Sequence, residues 1–93
     1  QTKLAYVHRD TIGDPYQLYI LDFFTGQREQ MTGVTVINNP LNANLVNIER
    51  PSWVPGDNRI VFAARNRSVT NDVRNIYVID VNSKVVTRIT SGT

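Results

Sequence analysis

The chain has no cysteine, and one residue each of histidine, tryptophan and methionine among its 93 positions. Without cysteine there are no disulfides, no thiolate metal ligands and no thiol nucleophile, so a domain this small must be held by burial or by a partner. The lone imidazole, His8, has no second histidine with which to hold a metal and no serine near it in sequence to activate. It reads as a solvent-exposed residue at a strand end. No Asp-x-Asp-x-Asp loop suited to calcium occurs, and we expect neither a metal nor a cofactor. Apolar runs fall far short of the ~20 residues of a membrane-spanning helix, and no signal-like stretch opens the chain, so membrane insertion is not expected. Charge is also sparse. Ten Lys and Arg against eight Asp and Glu leave a net charge of +2, too little for a nucleic-acid footprint.

What the sequence does contain is a repeat. Gln17-Leu18-Tyr19-Ile20-Leu21-Asp22 returns as Asn75-Ile76-Tyr77-Val78-Ile79-Asp80, and Gln30-Met31-Thr32 returns as Arg88-Ile89-Thr90, both displaced by 58 residues. Lys3-Leu4-Ala5-Tyr6-Val7 matches Arg59-Ile60-Val61-Phe62-Ala63 at a displacement of 56, the difference being absorbed in the intervening loop. The repeated runs are four to six residues of Ile, Val, Tyr and Phe, bounded by Gly, Pro, Asn and Asp. No helical spacing is sustained, so an all-β fold with almost no helix is expected. Leu18 to Leu21 and Ile76 to Ile79 are apolar throughout, which predicts strands covered on both faces.

Pro51-Ser52-Trp53-Val54-Pro55-Gly56-Asp57 precedes the second unit. With this stretch, the Ile60-Val61-Phe62 strand, the Ile76-Tyr77-Val78 strand ending in Asp80 and the closing Ile89-Thr90, the chain resembles the TolB-type β-propeller repeat, a relative of the WD-type repeats. The likeness covers roughly two thirds of the sequence. It departs from the family in the order of Gly56 and Asp57, which still suits a type II turn with Pro55 second and Gly56 third. It departs again in residues 33–50, read as an Asn-rich inserted loop between blades.

The resemblance implies four-stranded antiparallel blades in an incomplete ring. Lettering the strands a to d outward from the axis, residues 1–32 supply b, c and d of one blade and residues 51–93 supply a complete second blade, giving seven strands in all. Val34 to Ile37 is a candidate for the missing inner strand of the first blade. Two blades cannot close a ring, since propellers use ~4 to 8. Either the chain is a piece of a longer, six-bladed propeller, as Gln1 suggests by being no initiator, or three copies assemble the ring. In both cases the outer faces of the two blades are apolar and need covering. By the same likeness, the protein is placed in the periplasm or outside the cell of a bacterium.

Individual residues mostly carry structural expectations. Asp22 and Asp80 each precede a tight turn and should accept backbone N–H bonds. Trp53, Tyr19 and Tyr77 are expected to pack between blades. Asn66-Arg67-Ser68 fits the glycosylation acceptor pattern. The functional signal is where the long loops fall. The connections 8–16, 33–50 and 64–74 leave one end of the strands, and the short ones, 23–26, 55–58 and 81–84, leave the other. Recognition concentrates on elaborated loops held by a rigid scaffold. The expected partner-binding face therefore takes in Asp14, Tyr16, Asn39, Asn42, Asn44, Arg65, Arg67, Asp72 and Arg74. Its arginines are set against the acidic residues Asp10 and Asp14 of the other blade. We expect a non-catalytic scaffold that binds a protein partner or the rest of its own propeller. The alternatives are a propeller that gates a serine exopeptidase, which a Gly-x-Ser-x-Gly elbow beyond Thr93 would mark, and a glycan-binding propeller using Tyr16.

Overall fold

The computed structural model describes residues 3–33, 40–68 and 74–90. Seven strands and one helical turn follow in the order β1 (Lys3–His8), β2 (Gln17–Asp22), β3 (Arg28–Gln30), α1 (Pro40–Ala43), β4 (Leu45–Trp53), β5 (Arg59–Asn66), β6 (Asn75–Asp80) and β7 (Val86–Arg88). They form two antiparallel sheets, one of three strands in the order β1-β2-β3 and one of four in the order β4-β5-β6-β7. The expected seven strands are found, three in the first sheet and four in the second. Val34 to Ile37, the candidate for an extra inner strand, lies outside the described residues.

Each unit is closed by the same local chemistry. Asp22 Oδ1 accepts from the backbone N–H groups of Phe24 and Thr25, and Asp80 Oδ1 accepts from those of Asn82 and Ser83, at 2.9 to 3.3 Å. The turns then close with Gly26 N donating to Asp22 O and Lys84 N donating to Asp80 O. Gly26 has φ 72° and Lys84 has φ 62°, so the same left-handed position is filled once by the residue that adopts it freely and once by one that does not. The Val54 to Asp57 turn is likewise as expected: Asp57 N donates to Val54 O at 3.1 Å, and Gly56 has φ 72°, as a type II turn requires.

The two sheets pack face to face over one core. Ala5, Val7, Leu18, Ile20 and Met31 come from the first sheet and meet Ile60, Phe62, Ala64, Tyr77, Ile79 and Val86 from the second, with Leu45 and Ile48 of β4 among them. Strand alternation accounts for the selection. Tyr77 is fully buried there and stacks on Phe62 with ring centroids 6.0 Å apart. Trp53 packs against the core as expected. Its indole Nε1 is buried and meets no hydrogen-bond acceptor among the described residues.

Two features differ from the sequence expectation. Residues 33–50 are not loop throughout, because α1 occupies Pro40–Ala43 and β4 starts at Leu45, six positions before Pro51. Leu45 and Ile48 draw this stretch into the core. Its surplus residues are taken up at register shifts between Val46 and Glu49 and between Glu49 and Ser52. Asn47 and Arg50 sit there with φ of 55° and 54°, as bulged strands allow. The second difference is Tyr19, which does not lie between the sheets. Unlike Tyr77, it faces away from the core, on the outer face of the first sheet.

Candidate functional site

The long connections converge on one end of the molecule. Ile48 N donates to Tyr16 O at 3.2 Å and Arg67 N donates to Asn44 O at 2.9 Å, which ties the 9–16 connection to β4 and the connection after β5 to the start of β4. Two of the short turns, 55–58 and 81–84, meet at the opposite end, where Val81 N donates to Asn58 O. Between the long connections lies a cleft of about 290 Å³, walled by His8, Arg9, Asp10, Asp14, Pro15, Gln17 and Arg67, with Tyr19 and Gln30 at its floor.

Strand alternation and register build that floor. Tyr6 pairs with Tyr19, His8 with Gln17, and Tyr19 with Gln30, so these side chains share the outer face of the first sheet. Tyr6 and Tyr19 stack with centroids 5.8 Å apart, and the His8 ring meets Tyr19 edge-on at 5.2 Å. The Tyr19 hydroxyl donates to Gln30 Oε1 at 3.2 Å. Burial raises the Tyr19 phenol above its ordinary pKa, and the nearby Asp10 carboxylate adds to the shift, because both disfavour a phenolate.

His8 ends β1, as expected, and is partly exposed, but it is not alone there. Its Nε2 lies 2.9 Å from Asp10 Oδ1, and Arg28 comes to 3.5 Å of the same nitrogen and 4.0 Å of the same carboxylate. A proton on Nε2 that is shared with Asp10 leaves no lone pair for Arg28. Arg28 therefore acts on Asp10 by charge, with its guanidinium over the Tyr19 ring at 5.5 Å. The His8-x-Asp10 spacing was visible in the sequence, but Arg28 arrives only through the β2–β3 register.

Of the residues expected on the partner-binding face, Asp14 and Arg67 line the cleft. Tyr16 is exposed beside it, with the Arg9 guanidinium over one face of its ring at 4.6 Å. Asn44 contributes its backbone carbonyl to Arg67. Arg65 is exposed on β5, and Arg74 reaches Glu49 at 3.6 Å. Asn42 is in a different place altogether. It is completely buried and donates from Nδ2 to Met31 O at 3.0 Å and to Lys84 O at 2.8 Å, so that α1 bridges the two units. Asn39 and Asp72 lie outside the described residues. The acceptor-pattern Asn66 bonds the Ser68 N–H and hydroxyl through its own Oδ1.

A larger hollow of about 430 Å³ lies at the short-turn end, among Lys3, Asp22, Thr25, Gln27 and Glu29. It has no aromatic wall. Among the described residues no three His, Asp or Glu side chains are placed to hold a metal ion. No helix of the described residues is long and apolar enough to cross a membrane. Comparison of the chain with protein-family models, with curated proteins and with solved structures gives no match.

Proposed function

We propose that the two sheets are consecutive blades of a TolB-type β-propeller, and that the chain is a non-catalytic scaffold which recognises a protein segment at its long-loop end. The blade assignment is supported by the repeated strand order, the repeated Asp-closed turns and the Pro51–Asp57 stretch. The recognition assignment rests on one observation: the cleft between the 9–16 connection and Arg67 combines an aromatic floor with charges of both signs. Rigid aromatic side chains give contact area at little entropic cost, and charges of opposite sign orient a peptide backbone or its termini. His8, Asp10 and Arg28 hold one another and Tyr19 in place, so the floor is organised before any ligand arrives.

The test is selection of peptides from a random displayed library on the intact chain, followed by amide chemical-shift mapping of the best binder. Shifts should concentrate on residues 8 to 17, Gln30 and Arg67, and binding should weaken at least tenfold in Asp14→Ala or Arg67→Ala. Shifts confined to the short turns at 23–26, 55–58 and 81–84 would place recognition at the wrong end and overturn the proposal.

A further inference from the structure

Two side-chain amides border the cleft, Gln17 and Gln30, and the bonds they make within the protein decide what they can offer a ligand. The buried Thr32 hydroxyl accepts from Leu18 N–H at 3.0 Å and must place its own proton, which goes to Gln17 Oε1 at 2.6 Å. The second unit repeats the choice, since Thr90 Oγ1 accepts from Ile76 N–H and donates to Asn75 Oδ1, each at 3.0 Å. Gln30 Oε1 accepts from the Tyr19 hydroxyl, and Gln30 Nε2 donates to Thr32 O at 2.6 Å. Both amide oxygens and the Gln30 nitrogen are therefore engaged. Gln17 Nε2 has no acceptor among the described residues.

Gly33 makes room for this arrangement. It has φ 110°, and a Cβ there would lie 2.8 Å from Gln30 Nε2 and 3.1 Å from Gln17 Cδ, so glycine is what lets both amides lie against the backbone. The Gln17 amide is thus set before a ligand arrives, with its oxygen turned to Thr32 and its N–H groups left over at the cleft wall.

The charges lean the same way. Asp10 is engaged by His8 and Arg28. Among the described residues Arg9 and Arg67 meet no carboxylate, Arg9 lying over the Tyr16 ring, and Asp14 meets no cation. Two guanidiniums and one free amide donor stand against a single free carboxylate. An ionised carboxylate accepts through two oxygens and binds a guanidinium more strongly than a neutral carbonyl does. We propose that the segment recognised at the long-loop end presents a carboxylate, received by Gln17 Nε2 and the Arg67 guanidinium. A chain end and an acidic side chain both carry that group. The inference rests on the reading of the cleft as the recognition site and adds the chemistry of what enters it.

The test uses three small probes at constant ionic strength: N-acetylglycylglycine, its C-terminal amide, and the α-amide of N-acetylglutamic acid. Nitrogen-15 shift titration of the intact chain should show saturable shifts at Gln17 Nε2 and Arg67 Nε with the two carboxylate probes and none with the neutral amide, the tighter carboxylate probe naming the chain end or the side chain as the source. Gln17→Glu keeps an oxygen for the Thr32 hydroxyl but removes the donor, and it should weaken binding about tenfold or more. Arg67→Gln, at an exposed turn, should do the same without touching the fold, and Arg67→Lys should retain most of the affinity. Unchanged amide shifts away from the cleft show that each variant is folded. Equal cleft shifts from the neutral probe overturn the carboxylate and leave the cleft as a recognition site, whereas library peptides that map to the short turns remove both. A Gln17→Glu variant that binds the carboxylate probes as the parent does overturns the proposal, as does the absence of any cleft shift with those probes.

Discussion

Thr32 and Thr90 occupy equivalent places in the two units and make the same pair of bonds, which makes them an internal control for the value of a buried hydrogen bond. Thr32 Oγ1 accepts from Leu18 N at 3.0 Å and donates to Gln17 Oε1 at 2.6 Å. Thr90 Oγ1 accepts from Ile76 N at 3.0 Å and donates to Asn75 Oδ1 at 3.0 Å. Thr32 and Leu18 are completely buried, while Thr90 is exposed. Replacing either threonine by the nearly isosteric valine removes both bonds. In Thr32→Val the Leu18 N–H is left dry, which costs about 1 to 3 kcal/mol, and the part-exposed Gln17 loses about 0.5 to 1 kcal/mol more. The expected loss is therefore about 2 to 4 kcal/mol. In Thr90→Val water can reach the freed Ile76 N–H, although Asn75 is itself buried, and the loss should be smaller, about 1 to 2 kcal/mol. Urea unfolding reads both, provided the slope is unchanged. Thr32→Ser, which keeps the hydroxyl, should recover most of the difference. Equal losses for the two valine variants would refute the premise that cover by the opposite sheet sets the cost.

Trp53→Ala should destabilise by about 3 kcal/mol, the low end for a large aromatic because the ring is only half-buried; denaturant midpoints measure this, and a loss under about 1 kcal/mol would mean that the ring packs on nothing. Asp57 has its pKa lowered, first by the hydrogen bond from Arg59 and also by the Asn58 N–H, so its ionised form is favoured in the folded state. Its contribution is complete above about pH 4, the ordinary carboxylate value, and is lost as pH falls through the lowered folded value. Asp57→Asn should accordingly narrow the stability difference from the parent as acid is added, and a gap that widens below pH 4 would contradict the sign. Tyr19→Phe should remove a late-ionising component from the ultraviolet phenolate titration, since burial and Asp10 both raise the Tyr19 pKa; loss of an early component instead would contradict its placement.

The parts of this fold that depend on neighbours in sequence were legible, and the parts that depend on neighbours in space were not. Asp22 and Asp80 bond N–H groups two and three residues on, so their role could be read from the turn alone. The start of β4 was hidden because Asn47 and Arg50 suit a loop in composition, and the bulges that let them enter a strand are created by pairing with β5. Tyr19 and Tyr77 hold the same place in the repeat and differ only in what covers them, which no local pattern encodes. The same is true of the candidate site. Asp14 and Arg67 were found by their loops, whereas the His8, Asp10 and Arg28 group requires the register of three strands, and the burial of Asn42 depends on the path of the linker.

That path also bears on the order of folding. Every ladder in the two sheets joins strands consecutive in sequence, so even the hairpins with the longer connections, β1–β2 and β5–β6, close locally and can form early at modest entropic cost. Docking of one sheet on the other is the non-local step. Asn42 records it, because its amide spans 11 residues to Met31 and 42 to Lys84. If the hairpins form first and the linker is fastened last, Asn42→Ala should accelerate unfolding and leave the refolding rate nearly unchanged. The asparagine would then act as a latch that sets the lifetime of the native state while leaving the speed of reaching it to the hairpins.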